Sequence, residues 1–383
     1  MIFKMFILLH NNYAFNSNIH KPVPHLTLSH VCRKWRHIIH NLPEVWTLVD
    51  TRAIELMEMS MVLSRKLPLQ LRVVEPYGKH ARPLDNWLIY VTPDKHRFHS
   101  LEYWPRPEQN PVERMDLITW FMDNAINLRS VTYFAASAPF SPVLTFNPNE
   151  RVNPPPVAQL CCYGFQGVAA LTAYCSTTLT CLQLHGTRCY PYTPRAGAAE
   201  AQELFHALNS APNLIHLHLT QIVFAHQSDT IPSVTLNKLQ LLTITDSSWS
   251  MVQMLNFVRI PTSAQLQLEV RWDDPATFLK YMPLLHQSLA DKFSGPEIIG
   301  YPAEYHRLLL EFMPVPRISA WTKDNSQTSY FKFTFHRSMQ PTPVMKECYT
   351  ALLMGIVANM RSVRRLDIGL YAPLAPFPDD TKV

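Results

Sequence analysis

Apolar residues fall into two alternating rhythms along the chain. Between Leu28 and Leu42 they step by three and four, at Leu28, Val31, Cys32, Trp35, Ile38, Ile39 and Leu42. That spacing predicts one amphipathic helix, stopped by Pro43 and followed by an apolar return at Val45-Trp46. The opposite face is polar and basic, with Arg33, Lys34, Arg36, His37 and His40. After Asp50 a second pattern takes over, apolar-x-x-apolar-x-apolar. It occurs at Phe98/Leu101/Tyr103, Leu128/Val131/Tyr133, Val157/Leu160/Cys162, Leu179/Leu182/Leu184 and Leu214/Leu217/Leu219. It returns at Leu239/Leu242/Ile244, Tyr330/Phe333/Phe335 and Val363/Leu366/Ile368, with a partial copy at Leu266/Leu268.

The early copies start at intervals of roughly 20–35 residues, close to the ~20–29 of a leucine-rich repeat. Several follow an amphipathic helix and a polar hinge. Ala199–Asn209 leads through Ala211-Pro212-Asn213 to Leu214, Leu117–Ala125 through Asn127 to Leu128, and Val344–Ala358 through Asn359 to Val363. Helix, hinge and short strand repeated in parallel predict an irregular α/β solenoid over 51–383, behind a small helical module at 1–50. The stretch 273–313 reads as helical with no clear rung, Asp274-Pro275 supplying its N-cap and first position.

In such a strand the three pattern residues point inward. The expected inward set is Leu179, Leu182, Leu184, Leu214, Leu217, Leu219, Leu239, Leu242, Ile244, Leu366 and Ile368. The intervening and following residues form an outward ribbon: Trp104, Phe134, Tyr163, Gln183, His185, His216, His218, Thr243, Thr245, Lys332, Thr334 and His336. It is rich in aromatic and amphipathic groups and poor in charge, as interface cores are. Trp104, Tyr163, His185, His216 and His218 are therefore the candidate target contacts. Their imidazoles would make binding change between about pH 6 and 7.

Composition narrows the function. Hydrophobic residues are 47% and charged residues 16%, so the chain can bury a large core. Nine glycines in 383 residues leave few places for backbone to close around a phosphate. No Gly-rich nucleotide loop, paired-histidine metalloprotease motif or nucleophile elbow is present. Seven cysteines without Cys-x-x-Cys spacing predict reduced thiols rather than a disulfide framework. His216 and His218 would lie roughly 6.8 Å apart along a strand, with His185 near. They lack the further ligands of a zinc site. No metal, cofactor or catalytic residue is assigned, and the chain reads as no enzyme. A formal charge of +5, mild and evenly spread, predicts no nucleic-acid partner. The apolar start Met1–Leu9 ends at His10-Asn11-Asn12 without a small-residue cleavage site, and Ala351–Ala358 is too short for a membrane span. A protein of the cytoplasm and/or nucleus is expected.

The string Leu28-Ser29-His30-Val31-Cys32-Arg33-Lys34-Trp35-Arg36, then Leu42-Pro43-Glu44-Val45-Trp46, is distinctive. It resembles the second half of an F-box, most of all that of the F-box-like proteins of mushroom-forming fungi. The usual Leu-Pro-x-Glu opening is missing, with Ile2-Phe3 and Phe6–Leu9 its nearest counterparts. The resemblance implies a substrate receptor of an SCF-type ubiquitin ligase, joined to a Skp-family adaptor and a cullin complex. Leu28, Val31, Cys32, Trp35, Ile39, Leu42, Pro43 and Trp46 would form the adaptor-binding set, and the solenoid would hold an unknown protein target. The alternative is a solenoid scaffold whose F-box remnant only caps the N-terminus.

Overall fold

The computed structural model describes residues 28–52, 54–74, 85–104, 124–134, 156–165, 175–186, 198–222, 233–261, 263–271, 280–285, 287–289, 307–311, 317–321, 331–335 and 365–369. The architecture is α/β, and the chain divides into two compact units. The first comprises Met1–Pro142 with Pro155–Tyr163, and the second Val143–Pro154 with Gly164–Val383.

The first unit begins with a broken helix. Residues 28–29 are helical, 30–31 turn, and Cys32 is extended (φ −161°, ψ 168°) before α1, Arg33–His40. The continuous helix expected from Leu28 to Leu42 is thus interrupted at Val31-Cys32, and Val31 is 57% exposed. Arg36 bridges the break, its Nε donating to the Ser29 carbonyl at 3.1 Å. Asn41 ends α1, and a 3-10 turn follows at Pro43–Trp46, proline sitting where no amide is needed. Trp46 is fully buried, and its Nε1 donates to the Ile39 carbonyl at 2.9 Å. Leu28, Ile39, Val45, Trp46 and Leu56 form one cluster, flanked by Trp35, Leu42, Met59 and Leu63.

That cluster runs past residue 50, to Leu56 with Met59 and Leu63 packed on it. Leu48–Asp50 is already strand β1 of the sheet. After α2 (Ile54–Leu63) come β2 (Leu69–Val74), α3 (Asp85–Val91), a 3-10 turn at Thr92–Arg97, β3 (Phe98–Trp104), β4 (Ser130–Phe134) and β5 (Gln159–Phe165). They pair in chain order and in parallel. Leu101, Val131 and Leu160 stand side by side in register, and all are buried.

The second unit continues the rule with β6 (Cys181–Gly186), α4 (Ala198–Asn209), β7 (His216–Thr220), β8 (Val234–Thr235), β9 (Leu241–Asp246), α5 (Ser248–Phe257), β10 (Val258–Arg259) and β11 (Gln265–Val270). The main ladder runs β6-β7-β9-β11, all parallel, while β8 and β10 make a small parallel pair. Two buried lines cross it: Leu182–Leu217–Leu242–Leu266 and Leu184–Leu219–Ile244–Leu268. Burying each leucine is worth ~1.5–3 kcal/mol, which fixes the register, because a one-residue slip would expose the whole line. The inward set from Leu179 to Ile244 is buried; the side chains of Leu366 and Ile368 lie outside the described residues.

The hinges repeat as faithfully as the strands. The amides of Leu128, Leu179, Leu214 and Leu239 donate to the carbonyls three residues earlier, at Ala125, Ser176, Ala211 and Leu236. Each turn delivers the chain to the next buried leucine. Gly186, at the end of β6, is needed because a Cβ there would overlap the Gln221 carbonyl oxygen.

The partial copy Leu266/Leu268 forms strand β11, with both leucines buried. Expectations fail beyond β11. The stretch 273–313 is helical at 280–285 and 287–289, but Arg307–Glu311 forms strand β12. The strand β13 (Arg317–Trp321) pairs antiparallel with both β12 and β14 (Phe331–Phe335), and β14 lies parallel to β11. The strand β15 (Arg365–Gly369) therefore pairs with β12, not with the rung at Phe333. Consecutive Leu308, Leu309 and Leu310 carry no period, so helix and buried strand look alike there.

Candidate interaction surface

The alternation of a strand puts every second side chain on the face opposite the leucine lines. In the first unit, Arg72, Glu102, Thr132 and Cys161 stand in one outward row. The next row is Val74, Trp104, Phe134 and Tyr163. Parallel strands hold equivalent residues about 4.8 Å apart, the right interval for flat rings to stack. Trp104 and Phe134 have centroids 3.5 Å apart at 12°, and Phe134 and Tyr163 4.8 Å apart at 4°. Trp104 and Tyr163, both expected contacts, are thus joined through Phe134 into one half-buried aromatic wall.

A buried carboxylate anchors the wall. Glu102, 3% exposed, accepts from Arg72 Nε at 3.0 Å and from Trp104 Nε1 at 2.7 Å. Nothing local in the sequence marks this pair, since Arg72 and Glu102 meet only through the register of β2 with β3. Burial pushes the Tyr163 phenol above its ordinary 10, with Cys161 (charge and hydrogen bond) and the Glu102 charge adding to it. Asp50, at the end of β1, is gripped by Arg52 at 2.6 Å. The charged groups on this face are paired with each other.

The second unit carries a different surface on a ladder of the same kind. One outward row reads Gln183, His218, Thr243, Gln267 and Lys332, and the next His185, Thr220, Thr245, Glu269 and Thr334. Rings of His185 and His218 lie 5.0 Å apart at 40°, and His218 Nε2 is 3.0 Å from Thr220 Oγ1. His216 is exposed in the row of Cys181, two residues from His218, so the expected histidine trio resolves into a pair and a separate residue. Burial, then the charge of His218, lowers His185 to about 4, and burial lowers His218. His185 is therefore neutral at pH 6–7 and does not supply the titration expected of it in that range. Thr245 and Thr334, in the outward row by register, are themselves buried. His336 lies outside the described residues.

No protein-family model, curated protein or solved structure matches the chain. Among the described residues no group of three or more His, Cys, Asp or Glu is arranged to hold a metal ion. Cys32, Cys161, Cys162, Cys175 and Cys181 take part in no disulfide, and burial raises the Cys175 thiol to about 12. No described helix is long and apolar enough to cross a membrane.

The expected adaptor set splits by burial. Leu28, Ile39 and Trp46 are core, Trp35, Leu42 and Pro43 are half-buried, and Val31 and Cys32 are exposed. The break before α1 is what turns Val31 and Cys32 outward.

Proposed function

We propose that the chain is the substrate receptor of an SCF-type ubiquitin ligase. Val31, Cys32 and Trp35 meet a Skp-family adaptor, and the outward rows of a leucine-rich-repeat-like solenoid hold a protein target. Such a receptor does no chemistry; it raises the target's effective concentration at a partner's active site. The observation that carries the reading is the outward-turned Val31-Cys32 segment of the F-box-like string, set ahead of a parallel, in-register ladder. Burial of Ile39 and Trp46 against Leu56 favours a second reading, in which the module is only an N-terminal cap on a scaffold.

Capture of a purified Skp-family adaptor separates the two. The parent chain should retain adaptor, and Val31→Asp should lose it with an unchanged thermal midpoint, because Val31 is exposed. A parent chain that retains no adaptor leaves the scaffold reading standing.

A further inference from the structure

Charge is unevenly placed between the two units. In the first, the turns leading into the strands are tied along one edge. Arg97 donates from Nε and Nη2 to the Leu67 carbonyl at 3.2 Å, and from Nη2 to Ser64 Oγ at 2.6 Å. Asn127 donates to the His96 carbonyl at 2.6 Å, Lys95 to Asn124 Oδ1 at 3.1 Å, and the Arg129 amide to the His99 carbonyl at 2.8 Å. These bonds set 64–67 beside 95–97, and 95–99 beside 124–129. On that edge Arg65, Lys66, His96, His99 and Arg129 are exposed, and Lys95 is half-exposed.

Among the described residues the acid on this edge is Asp94, 3.6 Å from Arg97. Glu55 and Glu58 lie in the first half of α2, away from its end at Leu63, and Asp50 and Glu102 are held on the sheet face. The equivalent turns of the second unit carry Thr177, Thr178, Ser210, Asn213, Asn237 and Lys238. Among these described residues the cation is Lys238, which donates to Asn213 Oδ1 at 2.7 Å.

The end of α2 explains part of the basic edge, but a helix C-terminus offers only about half a negative charge. Arg65, Lys66, Lys95 and Arg129 exceed that severalfold. Like charges a few ångströms apart repel by up to about 1 kcal/mol in water, which an anion relieves.

We propose that the strand-start edge of the first unit is a docking ledge for an acidic stretch of a protein partner. Three neighbouring turns span about 10 Å at the strand spacing, and an extended peptide sets alternate carboxylates ~6.8 Å apart, so two or three meet cations together. The exposed ledge residues described include no Phe, Tyr or Trp on which bases would stack, Phe98 being buried, and a handful of cations is small for a nucleic-acid footprint. The ledge shares no residue with Val31, Cys32 and Trp35, and its probe is oligoglutamate rather than an adaptor, so its assay and the adaptor capture fail independently.

The test is fluorescence anisotropy of a labelled oligoglutamate of about twelve residues with the full chain. Saturable binding is expected at ~50 mM salt, weakening steeply toward ~300 mM as screening shortens the reach of the charges. Lys66→Glu/Arg129→Glu should weaken it at least about tenfold, and Lys66→Gln/Arg129→Gln to a smaller degree. Arg33→Glu/Lys34→Glu on α1 makes the same change in net charge and should shift it less than about twofold. No saturable binding by the parent overturns the proposal. So does an equal loss in both charge-reversed variants, which would mean attraction to net charge alone. A short DNA duplex binding more tightly than oligoglutamate, and weakened by Lys66→Gln/Arg129→Gln, also overturns it.

Discussion

Just beyond the buried leucine line, the first unit places Trp104, Phe134 and Tyr163, and the second places His185, Thr220, Thr245, Glu269 and Thr334. The backbone is the same in both: parallel strands, one residue opposite one residue. Inward positions are interchangeable between the units because each must fill the same space against the next rung. Outward positions are free of that demand, so they carry the difference. In the first unit the free positions have been spent on rings that stack across strands, and the wall both stiffens the sheet and offers apolar surface. In the second they hold hydroxyls, amides and two half-buried imidazoles, a polar face with little stacking. A ladder of this kind separates what holds it together from what it shows to a partner.

The largest effects should be equal in the two units. Leu101→Ala and Leu217→Ala each remove a fully buried side chain from an in-register line, at a cost of about 2–5 kcal/mol. Denaturant titration reads both; a cost near zero in one unit would mean its ladder is not the core. The next effect should divide them. Phe134→Ala removes two stacked partners and should cost about 1–3 kcal/mol, while Thr243→Ala in the outward row of the second unit should stay within about 0.5 kcal/mol. Equal costs would break the contrast between a structural wall and a free surface.

The smallest effect should appear in the second unit alone. His185 and His218 are depressed in the folded chain, so between pH 6.5 and about 4 the unfolded chain binds more protons. Stability is fully present above 6.5 and is lost as pH falls through that window. The denaturation midpoint of the parent should fall on acidification, and His185→Asn should flatten the slope. An unchanged slope would place the titration elsewhere.

Some of this was legible before any coordinates. Leu214, Leu217 and Leu219 stand behind Ala211-Pro212-Asn213, and Ala199–Asn209 precedes them at helical spacing, so helix, hinge and strand could all be named; the helix starts one residue earlier, at Ala198. Trp104 and Tyr163 could be placed on the outward face by alternation. Their union through Phe134 could not, since it requires strands β3, β4 and β5 to be neighbours in register. The break at Cys32 escaped because apolar spacing alone cannot tell a helix from two pieces that keep its phase.

What the sequence determined by itself is the set of local rules: which residues turn inward and where the hinges fall. Those follow from side-chain alternation, helix periodicity and residue chemistry within a few positions. The tertiary structure decided everything that depends on which strand lies beside which. It paired Arg72 with Glu102, gathered Arg65, Lys66, Lys95 and Arg129 on one edge, and turned β13 antiparallel after β14. It also depressed His185 through burial beside His218. These are contacts between residues tens of positions apart, and their energy exists only once the chain is folded.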